Sequence, residues 1–208
     1  RRGYGPPASP RRRVVRAPDT AVADPIVISI DAMGGDHGPS VVAPAVAIAL
    51  ERLQGAPVRF LLHGDEAKIR AELGKWPAAA AASDIRHTES VISTDDKPAQ
   101  ALRRGKGTSL WNAVEAVKGG EAQAALSAGN TGALMAISKL LLRMVSTELD
   151  RPAIVASWPT LRGVTAVLDV GANVSCDASQ LVEFAIMGEA FHCAVHGSHK
   201  PTVGLLNV

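Results

Sequence analysis

From Ile26 onward, short apolar runs of strand length alternate with longer amphipathic segments of helix length, and this feature constrains the fold most. The apolar runs lie at residues 26–30, 58–63, 124–128, 153–157, 164–170 and 202–208. The helical patterns lie between them, at residues 40–53, 65–76, 108–120, 131–145 and 178–195. Near-continuous apolar strands that alternate with helices are typical of a parallel sheet buried on both faces. The sequence therefore predicts an α/β fold with a mostly parallel sheet.

The chain divides into two parts of different composition. Residues 1–25 carry six arginines, are rich in proline and lack apolar periodicity, which predicts a disordered basic N-terminal extension. A solvated tail is the favoured interpretation, although such a segment could also bind nucleic acid or an anionic membrane. Residues 26–208 form the folded domain. No loop and helix follow its last apolar run, so we expect the domain to be incomplete at its C-terminus and the isolated chain to be inactive or severely impaired.

Composition and missing motifs narrow the function classes. Aromatic residues make up only 3% of the chain, which argues against a stacking surface for single-stranded nucleic acid. The sequence contains no G-x-G-x-x-G and no P-loop pattern, so neither NAD nor ATP is indicated. The two cysteines do not form a CxxC pair, and the scattered histidines do not complete a zinc set. We therefore expect no metal, no cofactor and no nucleic-acid partner.

Three glycine-containing loops follow predicted strands and lead into predicted helices. They read "DAMGGDHGPS" (31–40), "SAGNTGA" (127–133) and "DVGANVSCD" (169–177). In an open parallel sheet, ligands bind beyond the carboxyl ends of the strands, and N–H groups at a helix start suit a phosphate or an oxyanion. We expect the three loops to converge on one anion site at one edge of the sheet. Turns and helix caps use the same residue types, so the loops could also be simple connections.

A fourth segment, residues 94–114, places four cationic side chains within ten residues, ahead of a predicted helix start at Thr108 and Ser109. Such a segment could hold a phosphate or a phosphopantetheine arm. It could equally be a solvated basic loop.

The candidate site residues come from these four segments. The candidates for stabilising an oxyanion are Asn130, Thr131 and Asn173. The candidates for binding phosphate or pantetheine are Gly34, Gly35, Asp36, Lys97, Arg103, Ser109, Ser127, Gly129, Gly132 and Gly171. The glycines would let the backbone approach a ligand closely. Asp36 would fix its loop or orient a cation, because a carboxylate repels an anion.

Several motifs together resemble a known family. In order, "DAMGGDHGP", "KPAQALRR", "SAGNTGALMA", "VLDVGANVSCD" and "GLLNV" closely resemble the PlsX-type bacterial phosphate acyltransferases over residues 26–208. The resemblance implies a three-layer α/β/α fold similar to those of phosphate acetyltransferases and isocitrate dehydrogenases. It also implies transfer of a fatty acyl group from acyl-[acyl carrier protein] to inorganic phosphate, which gives acyl phosphate for phospholipid synthesis. Members are cytoplasmic homodimers that associate peripherally with the membrane.

The implied reaction agrees with the chemistry of the loops. A thioester is already activated, so attack by phosphate mainly requires a held dianion and donors for the tetrahedral oxyanion. Two departures from the family pattern are Ser175, where an acid is common, and the basic extension before Ile26. Two alternatives remain: an isocitrate-dehydrogenase-like oxidoreductase, and a non-catalytic fragment that binds carrier protein. Cys176 could carry an acyl group or be a structural thiol.

Overall fold

The computed structural model describes residues 24–161, 163–171, 173, 175–197 and 200–206. The disordered basic extension was predicted over residues 1–25, and all of it except residues 24 and 25 lies outside the described residues. The strands are β1 (Ile26–Asp31), β2 (Val58–Gly64), β3 (Ser83–His87), β4 (Ala124–Ser127), β5 (Val155–Thr160) and β6 (Gly163–Leu168). The helices are α1 (Pro39–Arg52), α2 (Glu66–Leu73), α3 (Pro77–Ala81), α4 (Pro98–Arg104), α5 (Ser109–Lys118), α6 (Thr131–Leu142) and α7 (Ala178–His196).

A four-stranded parallel sheet forms the centre of the fold. Its strand order is β3-β2-β1-β4, and every neighbouring pair is parallel. Parallel neighbours require long crossovers, and helices supply them here. The parallel sheet predicted from the alternating pattern is confirmed.

Helices cover both faces of this sheet, and apolar residues of the central strands pack against them on each face. Ile30, Phe60 and Leu62 pack in one buried cluster with residues of α1, α2 and α3. On the other side, Leu61 is buried in a cluster with Ala116 of α5. The result is the expected three-layer α/β/α arrangement.

The fifth and sixth strands depart from the prediction of a single parallel sheet. β5 and β6 form a separate antiparallel pair, with Val155 opposite Leu168 and Thr160 opposite Gly163. Only two residues separate these strands, whereas a parallel connection needs a crossover of a dozen or more. The short connection therefore produces a hairpin.

Three further differences concern which segments form strands or helices. The strand predicted over 202–208 is wrong for its described part, because residues 200–206 contain no strand and Leu205 and Leu206 are exposed. β3 was missed because it is an edge strand in which Ile85 is the sole apolar residue. The basic segment contains a helix, α4, with Pro98 at its first position, where proline is favoured.

No helix in the described part of the chain is long and apolar enough to cross a membrane.

Candidate functional site at the carboxyl edge of the sheet

The carboxyl ends of the four parallel strands carry a row of polar residues. Asp31 at the end of β1 is aligned with Ser127 of β4 on one side and with His63 of β2 on the other. His63 is in turn aligned with Arg86 of β3. Asp31 and His63 are only 3% and 5% exposed. This row forms the floor beneath the loops that follow β1 and β4.

The first two glycine loops lie in direct contact above this floor. A Cβ atom added to Gly34 would lie 2.6 Å from Asp31 Oδ2 and 2.9 Å from the backbone nitrogen of Gly129. Gly35 has a φ of +79°, and a Cβ there would lie 2.9 Å from the carbonyl oxygen of Ala128. These glycines are therefore required by the packing of one loop against the other.

Hydrogen bonds connect the same two loops. The Ser127 hydroxyl donates to Asp31 Oδ2 at 2.8 Å, and the Gly129 N–H donates to Ser127 Oγ at 3.0 Å. Asp31 Oδ1 accepts from the Met33 N–H at 3.3 Å. The carboxylate thus accepts one bond from each loop, and the Gly129 N–H is engaged within the protein.

Asn130 joins the second loop to the segment before α4. Its Oδ1 caps α6 by accepting from the Ala133 N–H at 2.9 Å. Its Nδ2 lies within 3.1 Å of the carbonyl oxygens of Ser93, Thr94 and Asp96. Both amide hydrogens are therefore directed toward backbone carbonyls, which assigns the side chain a positioning role in this conformation.

These hydrogen bonds from Asn130 bring the start of α4 close to the start of α6. A Cβ on Gly132 would lie 2.9 Å from Pro98 Cγ, so the first turns of the two helices are packed together. Lys97 is the N-cap of α4 and is exposed. Thr131, the first residue of α6, is also exposed. The first turn of a helix leaves N–H groups without intrahelical acceptors, so α6 can offer donors beside Lys97.

Three other predicted residues lie in less favourable places. Arg103 is in the last turn of α4, six residues or about 9 Å along the helix from Lys97. Ser109 is fully buried at the start of α5, where a ligand does not reach it. Asp36 is exposed and makes no hydrogen bond or ion pair within the described residues, so the loop-fixing task falls to Asp31 instead.

The third loop does not share the edge of the parallel sheet, so the prediction that three loops converge there is wrong for this one. Gly171 and Asn173 follow β6, which belongs to the separate hairpin. The Asn173 amide donates to the Pro152 carbonyl at 3.2 Å and to Asp169 Oδ2 at 2.8 Å. Asp169 also accepts from the Ile154 N–H at 3.0 Å. These bonds hold the loop to the entry of its own hairpin.

Two buried members of the polar row, Asp31 and His63, escaped the sequence prediction. His63 Nε2 lies 2.9 Å from Ser29 Oγ. Burial, with the nearby Arg86 charge as the lesser cause, lowers the pKa of His63 from 6.5 to about 4. Each is a polar residue at the end of an apolar run, and that pattern was the available signal.

These features define a three-layer α/β protein with a candidate anion site on loops after parallel strands. The chain belongs to the family described as "Fatty acid synthesis protein", which matches residues 26–208. It is similar to the phosphate acyltransferase of Caulobacter vibrioides, with 72% identity over 183 residues, 88% of this chain and 50% of the relative. The phosphate acyltransferase of Phenylobacterium zucineum is 68% identical over 183 residues, 88% of this chain and 51% of the relative. The chain thus spans about half the length of these relatives.

Proposed function

We propose that this chain carries the phosphate-binding part of an enzyme that transfers an acyl group to inorganic phosphate. The observation that carries the proposal is the contact between the loops after β1 and β4, beside the first turn of α6. The 72% identity to a protein named phosphate acyltransferase supports the reaction class. No specific feature favours the oxidoreductase or the non-catalytic fragment.

The proposed donor is acyl-[acyl carrier protein], and the product is acyl phosphate for phospholipid synthesis. An oxygen of phosphate attacks the thioester carbonyl carbon, and a new C–O bond forms. The C–S bond then breaks, and the carrier thiolate leaves and takes up the proton that phosphate loses. Because the thioester is already reactive, positioning of the phosphate dianion and donors for the oxyanion supply most of the catalysis.

In this proposal, the exposed start of α6 holds the phosphate. The N–H groups of Thr131 and Gly132 and the Thr131 hydroxyl are the donors, and Lys97 supplies positive charge. Asn130 acts through its three carbonyl contacts, which hold the segment immediately before Lys97 to the start of α6. Gly171 and Asn173 would join this site only through an approach of their loop to the parallel sheet.

Assembly and location are also part of the proposal. The full-length protein is proposed to be a cytoplasmic homodimer that contacts the membrane peripherally. These features would place a soluble donor and a lipid-directed product at one site.

The test uses the protein at its full natural length, with the 208-residue chain assayed in parallel. Protein, acyl-carrier protein and phosphate are mixed, and acyl phosphate is trapped with hydroxylamine as the hydroxamate. Lys97→Ala should raise the KM for phosphate about tenfold or more, since a charged contact contributes about 1.5–3 kcal/mol. Lys118→Ala is the matched control, because Lys118 is an exposed lysine in the last turn of α5, outside the segments assigned to the phosphate site.

Two results would contradict the proposal. The first is absence of acyl phosphate with the full-length protein. The second is an equal KM for phosphate in the Lys97 variant, the Lys118 variant and the unmodified protein.

A further inference from the structure

We propose that Asp31 is a positioning residue that locks the loops 32–38 and 127–131 together through Ser127 and so fixes the phosphate site. The inference rests on the proposed function for its kinetic consequence. Its structural content stands on the contacts of Asp31 alone. Asp31 does not touch the ligand in this proposal, because it is only 3% exposed and like charges repel.

The chemistry of the side chain explains why an aspartate occupies this position. An ionised carboxylate is acceptor-only, so both oxygens can receive bonds. Asp31 uses Oδ1 for the Met33 N–H of the first loop and Oδ2 for the Ser127 hydroxyl of the second. An asparagine has the same shape but would turn an N–H₂ group toward one of these donors.

The carboxylate also sets the direction of the next hydrogen bond. Since Asp31 can only accept, the Ser127 hydroxyl must donate to it, and a lone pair of Ser127 Oγ then faces the Gly129 N–H. The peptide before Gly129 is thereby held inward, immediately ahead of Asn130 and the first turn of α6. Asp31 thus controls the backbone that presents the proposed phosphate donors.

Burying the charged side chain of Asp31 in this geometry costs solvation free energy. Within the described residues, no lysine, arginine or histidine forms an ion pair with it. Burying a carboxylate without a cation is unfavourable, and the hydrogen bonds from Met33 and Ser127 compensate for the lost hydration. A neutral residue would avoid the penalty but would lose the two-sided acceptor.

Packing fixes the length of the side chain as well. Asp31 Oδ2 lies where a Cβ on Gly34 would be only 2.6 Å away, so the first loop is folded directly over the carboxylate. Glutamate at position 31 would push its carboxylate into this loop. The charge alone is therefore insufficient, and Asp31→Glu should fail to replace aspartate.

The experiment compares Asp31→Asn, Ser127→Ala and the double variant in the full-length protein. Amide hydrogen exchange is followed in residues 32–38 and 127–131, and KM and kcat are measured with phosphate varied. We expect each single variant to raise exchange in both loops and to raise the KM for phosphate about tenfold, with little change in the KM for the acyl donor. Exchange and the KM for phosphate in the double variant should not exceed those of the more severe single variant, because the two substitutions remove the same Asp31–Ser127 connection.

Asp84→Asn is the control, since Asp84 is an exposed aspartate paired with Arg59 on β2. It should leave exchange in both loops and the KM for phosphate unchanged. If Asp31→Asn does not fold, Ser127→Ala alone carries the test because it retains the buried carboxylate.

The inference is overturned if exchange rises in only one loop, or if the two single effects add in the double variant. An equal effect on the KM for both substrates would also overturn it, since general loosening would then explain the loss. If the unmodified protein makes no acyl phosphate, the proposed function fails, whereas the exchange measurement still decides the role of Asp31.

Discussion

Single residues at the carboxyl edge of the sheet are constrained mainly by their neighbours in other strands and loops. Gly34 lies over Asp31 and Ser127, and Gly35 lies against Ala128 with a positive φ. Any side chain at Gly35 would strain its backbone, so Gly35→Val would alter the loop as well as block a ligand. Gly34 gives the cleaner test of loop packing because it lacks this backbone constraint.

We predict that Gly34→Ala destabilises the fold by about 1–3 kcal/mol, because the added methyl group overlaps a fixed hydrogen-bonded network. Gly204→Ala is the control, because a Cβ there has no neighbour within 4 Å among the described residues. Denaturant unfolding of both variants measures the difference. Equal stability of the two variants would contradict the packing argument.

The second residue-scale prediction concerns His63 and pH. Its folded-state pKa of about 4 lies below the ordinary value of 6.5, so the unfolded chain binds the proton first as pH falls. The contribution of neutral His63 to stability is therefore complete above pH 6.5 and is lost as pH falls toward 4. The loss should reach about 3 kcal/mol at most.

The free energy of unfolding, measured between pH 7 and 4, tests this prediction. His63→Gln removes the titrating ring, so its stability should fall less steeply over this range than that of the unmodified chain. Parallel curves for the two proteins would show that His63 does not contribute to the pH dependence of stability.

At the scale of elements, α6 and the segment before α4 depend on one side chain. Asn130 caps α6 through its oxygen and holds residues 93–96 through its nitrogen. The two functions can be separated because aspartate retains the capping oxygen and lacks the donor.

We predict that Asn130→Ala costs about 1–3 kcal/mol, the sum of a lost cap and lost hydrogen bonds. Asn130→Asp should keep the first turn of α6 protected but release residues 93–97, because its carboxylate faces carbonyl oxygens. Hydrogen exchange of the two segments measures this. Asp65→Ala, which removes the N-cap of α2 together with an exposed ion pair to Lys68, is the control for cap loss. Equal protection of residues 93–97 in all three variants would refute the assignment.

At the scale of the whole molecule, the described residues form two sheets that differ in how many helices pack against them. The parallel sheet has helices on both faces, whereas β5 and β6 form a two-stranded pair with several exposed residues, including Trp158 at 52%. An isolated two-stranded hairpin is only marginally stable in water. The hairpin contacts α7, where Gly188 lies against Leu168.

We predict that amides of β5 and β6 exchange faster than those of β1 and β2 in the 208-residue chain. Local opening of a two-stranded pair exposes less buried apolar surface than opening of the central strands. Hydrogen exchange with mass spectrometry would measure this at peptide resolution. Similar protection in both sheets would show that the hairpin unfolds only with the whole domain.

Much of the fold was readable from local pattern because burial on both faces demands apolar strands. The helices at 39–52, 109–118, 131–142 and 178–196 lie within three residues of their predicted limits. The hairpin was misassigned because the apolar run at 153–157, part of which forms β5, does not by itself determine which strand it pairs with. The polar edge strand β3 escaped because it lacks the apolar signal on which the prediction depended.

For the site, the sequence by itself determined which segments carry glycine loops and helix starts, since both follow from local composition. Only the tertiary structure decided which loops meet: β1 and β4 are neighbours, whereas β6 lies in another sheet. The tertiary structure also gave Asn130 its carbonyl partners and made Asp31, rather than Asp36, the acceptor between loops. Strand order and side-chain contacts join residues far apart in the chain, and no local pattern encodes them.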